Sequence, residues 1–176
     1  MKMFAMAMVA TFAAASSCQS DTSLIKEGEG YRSCVYTDTT GNKTICYGFN
    51  LEVSSAKSEI ASVGADYNSV YNGSQCLSKS QCSTLLDDTI ATARSGEQQI
   101  YGNVSCYCAK EVLVDMTFNL GEAGLATFTT FNSYIESEQW DAAANDLYTT
   151  LWCSQVGSRC TRDADQIKMC DSSFLQ

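Results

Sequence analysis

Histidine and proline are both missing from this chain of 176 residues, and basic residues are few: 11 Lys and Arg stand against 20 Asp and Glu, a formal net charge of -9. Without imidazole there is no Ser-His or Cys-His nucleophile pair, no His-ligated zinc and no histidine acid-base step, so carboxylates must carry any proton transfer. The acidic balance lacks the basic face that a nucleic-acid binder needs. The longest apolar stretch, Met3 to Ala15, covers thirteen residues, short of the roughly 20 that span a membrane. No stable membrane association is therefore expected. Repeats and low-complexity linkers are also lacking. What is present, 45% hydrophobic and 18% charged residues, is the balance of a folded globular chain rather than a disordered one.

One Lys, an apolar stretch and then small residues open the chain, the pattern of a secretory signal. Residues 1–17 are expected to be removed, which takes Lys2 away and leaves 18–176 as a single, still more acidic domain that is secreted; the rival reading of the same residues is a weak N-terminal anchor that is later released. All ten cysteines lie in that remainder. An even count, an oxidising destination and the absence of His or paired C-x-x-C knuckles point to five disulfides and to no metal site. Sequence does not fix the pairing. Cys76 with Cys82 and Cys153 with Cys160 are the pairs close enough to close small loops.

Leu24 to Glu27 reads as a short helix with a Ser or Thr cap, stopped by Gly28 and Gly30. Cys34 to Thr37, then Asp38 to Asn42, then Lys43 to Tyr47 reads as strand, turn, strand, a β-hairpin. Residues 54–73 are polar and weakly periodic, a loop or short helices between two lobes. Ser78 to Gln81 is a capping box, followed by Cys82, Leu85, Leu86, Ile90 and Ala93 at helical spacing up to a break at Gly96. Val104 to Leu120 carries an apolar stripe that ends at Gly121, and 139–152 adds a further helix. The fold class is α+β, two-lobed, with a small lobe over about 24–75 and a helical lobe over about 76–170.

Chemistry concentrates between Glu29 and Gly48. Glu29 closes the first helix, Asp38 enters the turn and Thr44 begins the returning strand, so all three can face one cleft. Paired carboxyls across a cleft suit glycoside hydrolysis, in which one is protonated and gives its proton to the leaving oxygen while the other stays ionised. Burial beside Tyr31 or Tyr36 would favour the protonated form of one, and a solvated turn the anion of the other. Most acidic residues are merely solvated surface charges, and Asp38 with Gly41 alone makes a turn. The ordered frame separates them from that background.

That frame, E-G-x-R-x-x-x-Y-x-D-x-x-G-x-x-T-I-x-x-G, resembles the bacteriophage-type lysozymes, the muramidases with which tailed phages lyse their hosts. The resemblance continues through Met116 to Gly124, Phe128 and Trp140 to Ala143, and covers 24 to about 168. It implies a sheet-containing lobe and a helical lobe joined by a long helix, with glycan bound between them. It also implies Glu29 as acid, Asp38 and Thr44 as the residues that hold the attacking water in an inverting mechanism, Phe118 facing the cleft, and Arg159 pairing with Glu29. No cofactor is implied, and the partner is the peptidoglycan glycan strand, bound by a monomer. Departures occur where Cys46 replaces a glycine, where Phe49 stands at a histidine position, and where Phe131 and Asp146 fall at two cleft positions that often hold Ser and Asn. Cys34 and Cys46 are hairpin positions that could bridge. Two other readings remain: a non-hydrolytic wall-recognition protein, and a lytic transglycosylase or chitinase.

Overall fold

The computed structural model describes residues 17–38 and 40–171, so residues 1–16 of the expected signal segment lie outside it. Helix α1, Asp21–Glu29, starts where the Ser20 side chain accepts from Ser23 N, and it ends at Gly30, whose φ of 68° is left-handed. It runs through Gly28 rather than stopping there. Its neighbours Leu24 and Ile25 are both fully buried, each in a different hydrophobic cluster. One short helix is thereby fastened to both halves of the core.

Strands β1 (Arg32–Thr37), β2 (Lys43–Cys46) and β3 (Phe49–Asn50) form an antiparallel sheet in that order. The expected hairpin therefore gains a third, two-residue strand. Tyr36 lies opposite Thr44, and Thr44 opposite Asn50, which places Thr44 on the central strand. The polar segment after the sheet holds two short helices, α2 (Ala56–Ser62) and α3 (Tyr67–Tyr71).

Helix α4, Lys79–Tyr101, opens with the full capping box of Ser78 and Gln81, but it does not break at Gly96. A Cβ there would sit 3.1 Å from Thr117 Cγ2, so this glycine serves close helix approach and not termination. Helix α5, Tyr107–Ala126, packs against α4 and is interrupted at Gly121, where φ is 72° and ψ 160°. The helix expected over 139–152 is two: α7 (Trp140–Leu147) and α8 (Leu151–Val156), the second capped by the Thr150 side chain. Helices α6 (Thr129–Glu136) and α9 (Ser158–Lys168) complete the described chain, an α+β fold. Val112, Leu113 and Met116 of α5 lie in the larger cluster and Val114 in the smaller. Between them, α1 and α5 carry the floor on which both halves rest.

Five disulfides join Cys18–Cys108, Cys34–Cys76, Cys46–Cys82, Cys106–Cys170 and Cys153–Cys160. The Cys153–Cys160 expectation holds; the Cys76–Cys82 pair and the Cys34–Cys46 bridge do not. Sequence proximity misleads there because Cys82 sits in the first turn of α4 facing the sheet, and Cys34 faces the loop before that helix. Phe131 is also corrected: it is fully buried in the larger cluster and touches no cleft.

Glu97 of α4 is fully buried, and neither carboxylate oxygen has a partner. Burial raises its pKa, partly opposed by Lys110 and assisted by Glu111. A raised folded-state pKa gives stability that is present in acid and lost as pH rises through that pKa. Glu97→Gln is therefore expected to raise the urea midpoint at pH 7, with the gain shrinking toward pH 4. Equal gains at both pH values would contradict this.

Candidate active site

Asp38 leaves β1 and accepts three hydrogen bonds on Oδ1: from Thr40 N at 2.9 Å, Thr40 Oγ1 at 2.8 Å and Asn42 N at 2.9 Å. The sequence Asp-x-Thr-Gly-Asn makes this turn, with Gly41 at φ 93° allowing the chain to reverse. The Thr40 hydroxyl is the strongest of several contacts that hold the Asp38 carboxyl below the usual carboxylate range. Such bonds favour the anion. Asp38 Oδ2 is left for Thr44, whose Oγ1 donates to it at 3.2 Å and has a second acceptor, Asn42 O, at 3.3 Å. Thr44 is buried on β2, so its hydroxyl has little freedom beyond these two partners.

Glu29, the last residue of α1, is built differently. Its side chain is 23% exposed, and Oε1 accepts from Arg159 Nη1 at 2.8 Å. Oε2 lies against the backbone of Gly48, where a Cβ would approach it to 3.0 Å; φ there is +77°, so two constraints select glycine at one position. Glu29, Arg159, Asn119, Val156 and Ser158 line a polar depression of about 350 Å³. Phe118 of α5 is half-buried and lines an adjoining apolar groove of about 380 Å³ with Tyr47, Gly48, Phe49 and Asn50. Gly48, touching Glu29 and lining that groove, connects the two.

Cys46, two residues past Thr44, has φ 61°, the left-handed conformation that favours glycine. The disulfide to Cys82 holds it there and ties β2 to α4 directly behind the groove. Phe49 takes a half-buried place on β3 beside the same groove. Asp146 lines a separate pocket of about 480 Å³ with Phe128, Thr150 and Trp152.

Three residues escaped the sequence reading. Asp115, fully buried on α5, binds Arg159 through both oxygens, with Nε to Oδ2 at 2.8 Å and Nη2 to Oδ1 at 2.7 Å. Arg162 donates to Asp115 Oδ2 at 3.1 Å and to Asp163 Oδ1 at 2.8 Å. Burial, followed by the charge of Asp115, raises the pKa of Asp163 far above the carboxylate range. Burial alone would lower that of Arg159, but the bonds to Asp115 and Glu29 hold it above its ordinary value. A signal existed: Asp115 is the one charge in the apolar run from Val112 to Leu120.

The two carboxyls thus differ in kind, one locked as an anion by turn donors and one held at a half-buried helix end by a guanidinium. Among the described residues, the only cluster with metal-ligand spacing consists of Cys106, Cys108 and Cys170, whose sulfurs are in disulfides. No helix in that range is long and apolar enough to cross a membrane. The family model described as Phage lysozyme matches residues 26–162, which takes in Glu29, Asp38, Thr44, Phe118 and Arg159. That match spans more than three-quarters of the sequence, and the chain belongs to the phage lysozyme family.

Proposed function

We propose that this protein is a secreted, monomeric muramidase that hydrolyses the β-1,4 bond between N-acetylmuramic acid and N-acetylglucosamine in peptidoglycan, with inversion and without a cofactor, in defence or digestion. The observation that carries this reading is the pairing of an Asp38 carboxylate held ionised with a hydroxyl on its free oxygen. A water molecule placed between Asp38 Oδ2 and Thr44 Oγ1 gives up its proton to Asp38. The Thr44 hydroxyl turns its own hydrogen to Asn42 O and accepts from the same water. Glu29 delivers its proton to the glycosidic oxygen as the bond breaks, and Arg159 keeps the carboxyl aimed. Phe118 offers an apolar face to a sugar ring. The signal-like N-terminus and the five disulfides support export to an oxidising compartment.

The test is digestion of purified peptidoglycan followed by mass spectrometry of the fragments. Reducing muramic ends are expected, with the α anomer appearing first by NMR. Anhydromuramic ends would instead identify a transglycosylase, and intact strands with retained binding a recognition protein.

Net charge sets a further expectation. A chain with formal net charge -9 is repelled at long range by an anionic wall, and salt screens that repulsion over a Debye length of about 8 Å at physiological strength. Lysis rates should stay flat or rise between roughly 20 and 200 mM salt, on the ionic-strength scale over which screening acts. A steep fall would show that steering to the wall is attractive.

A further inference from the structure

The environment behind Glu29 is a buried ionic layer spanning three helices. Arg159 and Arg162 come from one face of α9, Asp115 from the middle of α5, and Glu29 from the end of α1. Asp115 has no exposed surface, and its two oxygens receive three side-chain N–H bonds from the two guanidiniums. Arg162 is fixed in turn by donating to Leu24 O at 3.0 Å and to Asp163. An arginine fork gripped on its Nε and Nη2 edge cannot rotate about its terminal bonds without breaking both contacts. Its Nη1 edge is then aimed by construction, and Glu29 Oε1 lies 2.8 Å along it.

Charge points the same way. A general acid must hold its proton until the glycosidic oxygen takes it, yet an unopposed guanidinium at hydrogen-bond distance favours the carboxylate. Arg159 from α9 contacts Glu29, Arg162 from α9 and Glu27 from α1 line the same depression, Asp115 from α5 holds Arg159 from behind, and Tyr36 on the sheet side feels the charges of both Glu29 and Asp38. Asp163 from α9 completes the layer behind them. Of the carboxylates, Asp115 alone shares a guanidinium directly with Glu29.

We propose that Asp115 is the positioning residue of this site: its two-point grip aims Arg159 Nη1 at Glu29, and its charge partly offsets the guanidinium that Glu29 also contacts. The role rests on the reading of Glu29 as general acid. Asp115 touches no substrate and acts only through Arg159. Burial first and the charge of Asp115 second raise the pKa of Asp163, and neutralising Asp115 removes the second cause, so the test includes a variant in which both residues are neutral.

The experiment titrates Glu29 by NMR in protein carrying carboxyl-labelled glutamate, its signal assigned by loss in Glu29→Gln. Parent, Asp115→Asn and the double variant Asp115→Asn with Asp163→Asn are compared, alongside the pH profile of peptidoglycan hydrolysis. The Glu29 midpoint is expected to fall by about one pH unit or more in the double variant, and by less in the single one. The alkaline limb of the activity profile should move down with it, while KM changes little. An unmoved midpoint in the folded double variant overturns the proposal. Should the variants fail to fold, the parent alone decides: separate, slowly exchanging Nη1 and Nη2 signals of Arg159 support the grip, and averaged ones refute it. A parent protein that releases no sugar sinks the muramidase reading, whereas the midpoint comparison still tests Asp115.

Discussion

Glu29→Gln is expected to lose at least about a thousandfold in hydrolysis, within the range by which a positioned acid accelerates such reactions, while keeping its fold. The amide oxygen of glutamine can still accept from Arg159 Nη1, and the amide nitrogen, similar in size to Oε2, takes the place of that oxygen beside Gly48. Only the proton is gone. Asp38→Asn should fall comparably for a different reason, since its turn donors on Oδ1 survive but the anion that the proposed mechanism needs to take the water's proton does not. Reducing-end release from peptidoglycan, with circular dichroism to verify folding, measures both. Glu29→Gln retaining a tenth of the parent rate would remove Glu29 from the acid's role and leave the family assignment standing. A transglycosylase would separate the two variants, because it needs no water-activating carboxylate and would tolerate Asp38→Asn.

Much of this site is local in sequence, and for that reason legible. Glu29, Asp38 and Thr44 lie within one helix end, one turn and one strand, where glycines and threonines announce the geometry before any tertiary contact forms. The Asp38 turn is held by Thr40 and Asn42, both within four residues. What local pattern does not carry comes from long-range contact. Asp115 meets Arg159 across a sequence separation of 44 residues, and Arg159 meets Glu29 across 130. Period and propensity carry no information on such pairs: the family resemblance implied the Arg159–Glu29 pair, and only the oddity of an acid in an apolar helix stripe hinted at Asp115. The disulfides divide in the same way: Cys153–Cys160 closes a short loop and was found, whereas Cys46–Cys82 depends on where the sheet docks on α4. Gly96 was misread because a glycine that lets two helices touch looks, in sequence, like one that ends a helix.

Gly28 poses the same ambiguity, and its substitution has the second large effect. It sits inside α1, where replacing glycine by alanine ordinarily stabilises by about 1 kcal/mol. Gly28→Ala is expected to do the opposite, and to lower hydrolysis about a hundredfold, the scale of a misplacement near 1 Å in a catalytic group. A Cβ at Gly28 would lie 2.8 Å from Arg159 Cζ and 2.9 Å from Nη1. A free arginine would swing aside, but this one is tied to Asp115 on its far edge. The new methyl group must therefore push Nη1 off Glu29, bend α1, or break the buried pair, and crowding of this kind costs about 1 to 3 kcal/mol. Gly102→Ala serves as the comparison: its φ of +65° makes alanine strained, yet no atom lies within 4 Å of the added Cβ. It should lose stability and keep its activity, because it ends α4 away from the carboxyls. Urea unfolding and reducing-sugar release on both variants separate crowding at Arg159 from backbone strain. Gly28→Ala with raised stability and activity within about threefold of the parent would mean that Arg159 has slack, and a guanidinium with slack is not one that Asp115 aims.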